Sequence, residues 1–137
     1  YDLWLKELTR FAKVINKKNI TIILNSPIPE YELINRQNCF KEWFNANIYK
    51  ECSINKDIFL GKNGLYRSHY NKIDDLIKLN ENIKFFNLFE ELCPNKKCNY
   101  LTNSGDVLYK DNDHLSNYAS KEIVSKSLKA FIINNKI

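Results

Sequence analysis

The 137-residue sequence has no methionine and only three glycines and three prolines. So little Gly and Pro excludes collagen-like and linker-like chains. No apolar run approaches the roughly 20 residues that a membrane-spanning helix needs, since the longest candidates are residues 20–24 and 130–133. The first residues also lack the basic and then apolar segments of a secretory signal. Because a native start carries Met, we expect the chain to be part of a longer protein.

Clusters of arginine and lysine of the kind that read nucleic acids are missing as well. The chain carries 21 Lys and Arg against 16 Asp and Glu, for a formal net charge of +5. These basic residues are nearly all lysines scattered along the sequence, so we expect no nucleic-acid partner. Hydrophobic residues make up 44% and aromatic residues 13% of the chain, which is enough for one folded domain.

Four cysteines are spaced as two pairs, Cys39 with Cys52 and Cys93 with Cys98. Zinc knuckles usually place two residues between the cysteines of a pair, whereas twelve and four residues intervene here. The spacing therefore favours two disulfides, 39–52 and 93–98, over a zinc site. Four unrelated buried thiols are the other alternative. Disulfides form in oxidising compartments, so we expect the domain to lie outside the cytoplasm.

The hydrophobic pattern predicts an α/β fold. Apolar residues recur at helical spacing over residues 2–16 and again over 66–77. Residues 20–24 and 83–88 are short, apolar runs without alternation, which is typical of strands buried in a parallel sheet. Helices that alternate with such strands indicate βαβ units. We therefore expect 20–24 and 83–88 to be neighbouring parallel strands that are covered by helices.

The remaining segments show weaker patterns. Residues 27–59 are predicted to be irregular, with one short helix around 38–47. Residues 99–101 and 107–109 flank a polar turn and predict a hairpin. Ser116 precedes a long amphipathic segment and suits the N-cap of a last helix.

The stretch from Tyr109 to Ser116 holds the chemistry-bearing residues. Asp111 stands three residues ahead of His114, and both come just before the predicted last helix. A carboxylate at this spacing can accept the Nδ1–H of the imidazole and leave the other ring nitrogen as a general base. Asp and Asn also favour turns that start helices, so a merely structural turn is the alternative. Neither a metal nor another cofactor is expected.

The sequence resembles the end of an SGNH domain, and most closely the SGNH domains fused to membrane-bound acyltransferases that O-acylate cell-surface polysaccharides. The resemblance is carried by Leu92-Cys93-Pro94 with Cys98, by Gly105, and by Leu108-Tyr109-x-Asp111-x-Asp113-His114-Leu115-Ser116. The strand at 20–24, Pro27-x-Pro29, Cys39 and Cys52 also look like that subgroup. The resemblance implies a three-layer, flavodoxin-like parallel sheet with helices on both faces. Residues 1–137 would form the C-terminal part of one such domain.

The resemblance also implies the roles of site residues. His114 matches the family's catalytic base and Asp111 its orienting acid, while Asp113 has no assigned role. The family's nucleophile is the serine of a Gly-Asp-Ser motif, which this chain lacks; Ser104-Gly105-Asp106 has the wrong order. We therefore expect the nucleophile and the oxyanion-hole residues to precede Tyr1, and the 137 residues alone to be inactive. His69 is predicted to be a half-buried histidine of the second helix.

The implied function is the transfer or hydrolysis of acyl groups, acetyl above all, on a surface polysaccharide such as lipopolysaccharide. The implied partners are the acylated polysaccharide or acyl donor and a membrane acyltransferase domain in the same polypeptide. The domain would lie on the extracytoplasmic side, tethered to the membrane. A degenerate, non-catalytic module that binds glycan or a partner protein is the alternative, and a stand-alone esterase is a third.

Overall fold

The computed structural model describes residues 2–31, Cys39 and residues 52–137. Helices and strands alternate along most of this length. In chain order the elements are α1 (Asp2–Asn16), β1 (Ile22–Asn25), β2 (Ser53–Asn55), α2 (Asp57–Leu60), α3 (Arg67–Leu79), β3 (Ile83–Phe86), α4 (Leu88–Leu92), β4 (Lys97–Asn99), a π-helical segment (Ala119–Val124) and α5 (Ser125–Asn134). The short helix predicted around 38–47 lies, apart from Cys39, outside the described residues.

β1 and β3 form a parallel pair, with Ile22 opposite Ile83 and Asn25 opposite Phe86. This confirms the predicted parallel arrangement and the α/β class. Among the described residues this sheet has two strands. Their apolar, partly β-branched side chains alternate between the two faces of the sheet, so each face offers a surface on which a helix can pack.

Helices cover both faces of the parallel pair, as the implied three-layer arrangement requires. On one face, Ala12 of α1 and Leu76 of α3 pack together with Ile83. On the other face, the ring of Phe86 lies 5.3 Å from the ring of Phe131 in α5, measured between centroids. The 3.6-residue period of α1 and α3 therefore buries one stripe of each helix against the same side of the sheet.

A second, antiparallel pair joins β2 to β4, with Ile54 opposite Cys98. Three-residue strands are marginal on their own, and two disulfides support this pair. Cys39 pairs with Cys52, just before β2, and Cys93 pairs with Cys98 inside β4. The paired Cα atoms are 5.1 and 4.4 Å apart, which is the pairing that the spacing favours.

Lys56 adds a polar connection to the loop closed by Cys93. Its Nζ lies 2.5 Å from Glu90 Oε2 and donates to the carbonyl of Cys93 at 3.1 Å. The residue that follows β2 is thus bound to α4 and to Cys93. The loop between Cys93 and Cys98 is therefore held by these contacts as well as by its disulfide.

Several element boundaries differ from the sequence prediction. Residues 27–59 are not wholly irregular, because β2 and α2 lie among them. The strand predicted over 83–88 ends at Phe86, and Leu88 already begins α4, where its side chain is buried. Burial alone did not distinguish a strand from a short helix here, since both place apolar residues in the core.

The predicted hairpin is shorter than expected. A single antiparallel bridge joins Leu101 to Val107, and the turn between them is held by Asp106, whose carboxylate accepts from Ser104 Oγ at 2.6 Å. Gly105 has a φ of 91°, a conformation that residues with a Cβ rarely adopt. Side-chain hydrogen bonds have replaced part of the backbone ladder in this turn.

Ser116 caps the last helix, as predicted. Its Oγ accepts from the backbone N–H of Ala119 at 3.1 Å and donates to the carbonyl of Val107 at 2.5 Å. The first turns that follow are partly π-helical, over Ala119–Val124. The helix was predicted as one regular element, and π-turns leave no signature in apolar spacing.

No helix of the described residues is both long enough and apolar enough to cross a membrane.

The disulfides should each contribute to stability through the loop that they close. Replacing Cys93 and Cys98 together by Ser should lower the free energy of unfolding by about 2 kcal/mol, and replacing Cys39 and Cys52 by about 3 kcal/mol. Urea unfolding without reductant measures both losses. Peptide mapping of the unreduced protein is the control, and a 39–93 or 52–98 link, or free thiols, would contradict the assignment.

The core should depend strongly on Phe89. Its side chain is fully buried and its ring lies 5.5 Å from that of Phe59 and 6.0 Å from that of Tyr66. Phe89→Ala should cost about 3–5 kcal/mol because it leaves a cavity between α2, α3 and α4. Leu79→Ala is the matched control, since Leu79 is 75% exposed. Equal losses for both variants would show that this packing is wrong.

The Ser116 cap should be measurable in the same way. Ser116→Ala removes an acceptor at the helix N-terminus and should cost about 1 kcal/mol. Ser125→Ala, at an exposed position of α5, should change the free energy of unfolding by less than about 0.5 kcal/mol. An unchanged midpoint for Ser116→Ala would mean that the hydroxyl does not cap the helix.

Candidate active site

The loop that carries His114 is closed by backbone hydrogen bonds. Tyr109 and Leu115 form an antiparallel bridge, and the N–H of Lys110 donates to the carbonyl of His114 at 2.8 Å. One residue further on, the N–H of Ser116 donates to the carbonyl of Leu108 at 3.0 Å. These bonds return the chain on itself, so that residues 110–114 form a short protruding loop with a fixed base.

Three tyrosine rings make that base rigid. Tyr109, at the start of the loop, is buried, and its ring centroid lies 4.4 Å from that of Tyr31 and 5.8 Å from that of Tyr100. Tyr31 and Tyr100 also meet edge to face at 5.4 Å. Burial raises the pKa of both the Tyr31 and the Tyr109 hydroxyl, so both stay neutral. An exposed loop thus stands on a closely packed aromatic cluster.

The loop is bound by the segment that follows β1. The chain leaves β1 through residues 26–31, and the N–H of Tyr31 donates to the carbonyl of Asn112 at 2.7 Å. The same segment is held by Tyr66, whose hydroxyl donates to the carbonyl of Ile28 at 2.9 Å. Ser26 Oγ accepts from the N–H of Phe89 at 2.7 Å. Open α/β sheets carry their sites in the loops beyond the carboxyl ends of their strands, and such a loop contacts the segment that carries His114.

Asp111 and His114 are in direct contact. Nδ1 of the ring lies 2.9 Å from Asp111 Oδ1. The same oxygen accepts from the backbone N–H of His114 at 2.7 Å and from that of Asp113 at 3.2 Å. The side chain of His114 is 71% exposed and that of Asp111 37% exposed. The three-residue spacing works because Asp111 closes a turn with its own carboxylate.

The contact changes the pKa of both groups. Partial burial alone would raise the pKa of the Asp111 carboxyl, but hydrogen bonds from the backbone and ring of His114 and from the backbone of Asp113 lower it to about 2. The hydrogen bond and the charge of Asp111, together with the charge of Asp113, raise the pKa of His114 above its ordinary 6.5. With a carboxylate at Nδ1, the neutral ring holds its proton there and keeps the Nε2 lone pair for a reactant.

Asp113 also reaches the ring. Its Oδ1 lies 3.0 Å from Nδ1 of His114, and its side chain is 61% exposed. The sequence analysis gave this residue no role, because adjacency to His114 in sequence does not by itself bring its carboxylate onto the ring. The described chain therefore presents two carboxylates, not one, at the same ring nitrogen.

A cation could in principle use the same atoms. One ligand atom each from Asp111, Asp113 and His114 lie within 4.8 Å of one another. The ring atom that faces the carboxylates is Nδ1, however, and a proton held there by Asp111 competes with a cation. That the site needs no metal stays a prediction.

Two serines that flank the loop are hydrogen-bonded elsewhere. The hydroxyl of Ser104 donates to Asp106 within the hairpin turn, where it lowers the pKa of that carboxyl. The hydroxyl of Ser116 donates to the carbonyl of Val107.

His69 is the third residue of α3 and does not belong to the loop of residues 110–114. Its side chain is half-buried, as predicted, and burial lowers the pKa of its imidazole. The pKa values of the two histidines are therefore changed in opposite directions. That of His69 is lowered because its ring is desolvated, and that of His114 is raised because its ring faces carboxylates.

One of three comparisons with known proteins identifies a family. The family model described as "SGNH domain (fused to AT3 domains)" matches residues 2–128. Searches of curated proteins and of solved structures found no match. AT3 domains are membrane acyltransferases, so the family match supports a hydrolase-like or acyltransferase-like domain that is associated with a membrane. The chain belongs to the family of SGNH domains fused to AT3 domains.

Proposed function

We propose that the chain is the extracytoplasmic part of an enzyme that transfers or hydrolyses acyl groups, acetyl above all, on a cell-surface polysaccharide. His114 is the general base and Asp111 the acid that orients it. The observation that carries the proposal is the 2.9 Å contact between His114 Nδ1 and Asp111 Oδ1. It favours the tautomer in which Nε2 can accept a proton.

The nucleophile of the proposal is a serine in a Gly-Asp-Ser segment outside these 137 residues, as in the family resemblance. Its Oγ attacks the acyl carbonyl while its proton passes to Nε2 of His114. The imidazolium then returns that proton to the leaving oxygen, which gives an acyl-serine. In the second half, a sugar hydroxyl or water attacks the acyl-serine, gives its proton to Nε2, and the serine recovers it.

Asp111 acts in this sequence without taking the proton. Its pKa is lowered to about 2, so it remains a carboxylate beside the imidazolium that each half-reaction forms. The negative charge stabilises that imidazolium, and the hydrogen bond at Nδ1 prevents the ring from turning away. Because Asp111 Oδ1 also accepts two backbone N–H groups, its position does not depend on the ring.

The location and the partner domain are supported by two further observations. The two disulfides support an oxidising location, and the family's fusion to AT3 domains supports a membrane acyltransferase domain as partner. The acyl donor would then be supplied from the membrane domain.

A non-catalytic module is the second candidate. It is favoured by one observation, the lack of a Gly-Asp-Ser sequence within the 137 residues. Such a module would keep the SGNH fold and bind glycan or a partner protein through it. The two candidates differ in whether any serine of the whole protein is activated by His114.

In the whole protein, His114→Ala should lower the hydrolysis of 4-nitrophenyl acetate by about 100- to 10,000-fold, because the general base is lost. Asp111→Asn should cost less, since the base remains but its orientation and charge partner are weakened. A fluorophosphonate probe should label a serine outside residues 1–137. In the His114→Ala and Asp111→Asn variants this labelling should fall together with the rate of hydrolysis. Steady-state kinetics and peptide mass spectrometry measure these effects.

His69→Gln is the matched control, because it removes the other histidine of the chain and should leave turnover and labelling nearly unchanged. Circular dichroism on every variant checks that the fold is intact. Absence of labelling in the wild-type protein would favour the non-catalytic module. A labelled serine inside residues 1–137 would refute the assignment of the nucleophile.

A further inference from the structure

We propose that Asp113 is a second positioning residue, whose carboxylate stabilises the imidazolium form of His114 beside the hydrogen bond to Asp111. The inference rests on the proposed role of His114 as a base. Asp111 Oδ1 lies 2.9 Å and Asp113 Oδ1 3.0 Å from the same ring nitrogen. Nδ1 is hydrogen-bonded to Asp111, and Asp113 is an ion-pair partner of the protonated ring.

The first argument is the number of donors that Asp111 serves. Its Oδ1 accepts from the N–H of His114, from the N–H of Asp113 and from the ring. A carboxylate oxygen offers about two lone-pair sites, so three donors exceed what one oxygen can satisfy well. Asp113 Oδ1, at 3.0 Å from Nδ1, places a second negative charge beside a ring whose hydrogen bond goes to this crowded oxygen.

The second argument is electrostatic. An imidazolium at His114 is attracted by both carboxylates and repelled by Lys110 on the same loop. The neighbouring segment 26–31 has one charged residue, Glu30, and that carboxylate interacts with Tyr66 instead. Asp113 thus adds a second negative charge that favours the ring cation formed during catalysis, and its 61% exposure makes this contribution sensitive to salt.

The two aspartates are therefore separable by substitution. Asp111 both faces the ring and closes the turn through two backbone N–H groups. The side chain of Asp113 contacts the ring and interacts with the Asp111 carboxylate, whereas its backbone N–H, which a substitution keeps, is what joins the turn. Asp113→Asn consequently removes a charge at Nδ1 and leaves the turn intact, while Asp113→Glu keeps the charge on a longer side chain.

The test is the pH dependence of diethyl pyrocarbonate modification at His114 in the whole protein, followed by peptide mass spectrometry. The reagent attacks neutral imidazole, so the rate profile reports the pKa of His114 whether or not the protein is catalytic. Asp113→Asn should shift this pKa downward, because a carboxylate that stabilised the imidazolium is gone. Modification should then be faster than in the wild type below the pKa and equal to it well above.

The shift should shrink in 1 M salt and should be largely restored by Asp113→Glu. Asp74→Asn changes the net charge equally on exposed helix α3 and should leave the His114 profile unchanged, while His69 is an internal reference in every sample. Asp113→Asn should also lower kcat/KM for 4-nitrophenyl acetate about twofold to fivefold. The acid limb of the pH profile of kcat/KM should move to lower pH.

An unchanged His114 profile in Asp113→Asn, or an equal shift in Asp74→Asn, would overturn the inference. A specific shift in a protein that hydrolyses no ester would support the contact and instead contradict the proposed function. The two failures are therefore distinguishable in one set of samples.

Discussion

Four residues of β1 pair in parallel with four residues of β3, and the chain leaves both strands at the same edge of the sheet. Just beyond that edge the two exits are joined, because the N–H of Phe89 donates to Ser26 Oγ. The exit from β1 then continues to Tyr31, which binds the loop of His114 through the carbonyl of Asn112. The position of the His114 imidazole thus depends on the pairing of β1 with β3, because residues 26–31 connect β1 to the loop.

An exposed loop that holds a side chain in a fixed position needs a rigid support, and the tyrosine cluster provides it. Tyr31, Tyr100 and Tyr109 come from three separate parts of the chain and are all buried. Their rings bury a large area with little side-chain entropy to lose. The carboxylates of Asp111 and Asp113 can therefore keep the exposed His114 ring in one orientation. In a flexible loop the ring would rotate freely in the solvent.

The second sheet adds very short strands to the larger hydrophobic core, to which Ile54 and Cys98 belong. β2 and β4 are three residues each, and the cysteines that flank or lie within them are buried. Covalent links that close short loops reduce the entropy of the unfolded chain, which stabilises strands too short to persist alone. The Lys56–Glu90 ion pair is half-exposed and adds less.

The sequence by itself determined the α/β class, the parallel strands, helix α1 over Asp2–Asn16 and the Ser116 cap. It also indicated Asp111 and His114 as candidate site residues. Each of these depends on local periodicity or on residues within a few positions of one another. Tertiary structure decided the rest. The end of β3 at Phe86, the strands β2 and β4, and the tyrosine support all depend on contacts between distant residues. The second carboxylate at Nδ1 depended on how the loop folds, since adjacency in sequence does not bring a side chain back onto its neighbour's ring.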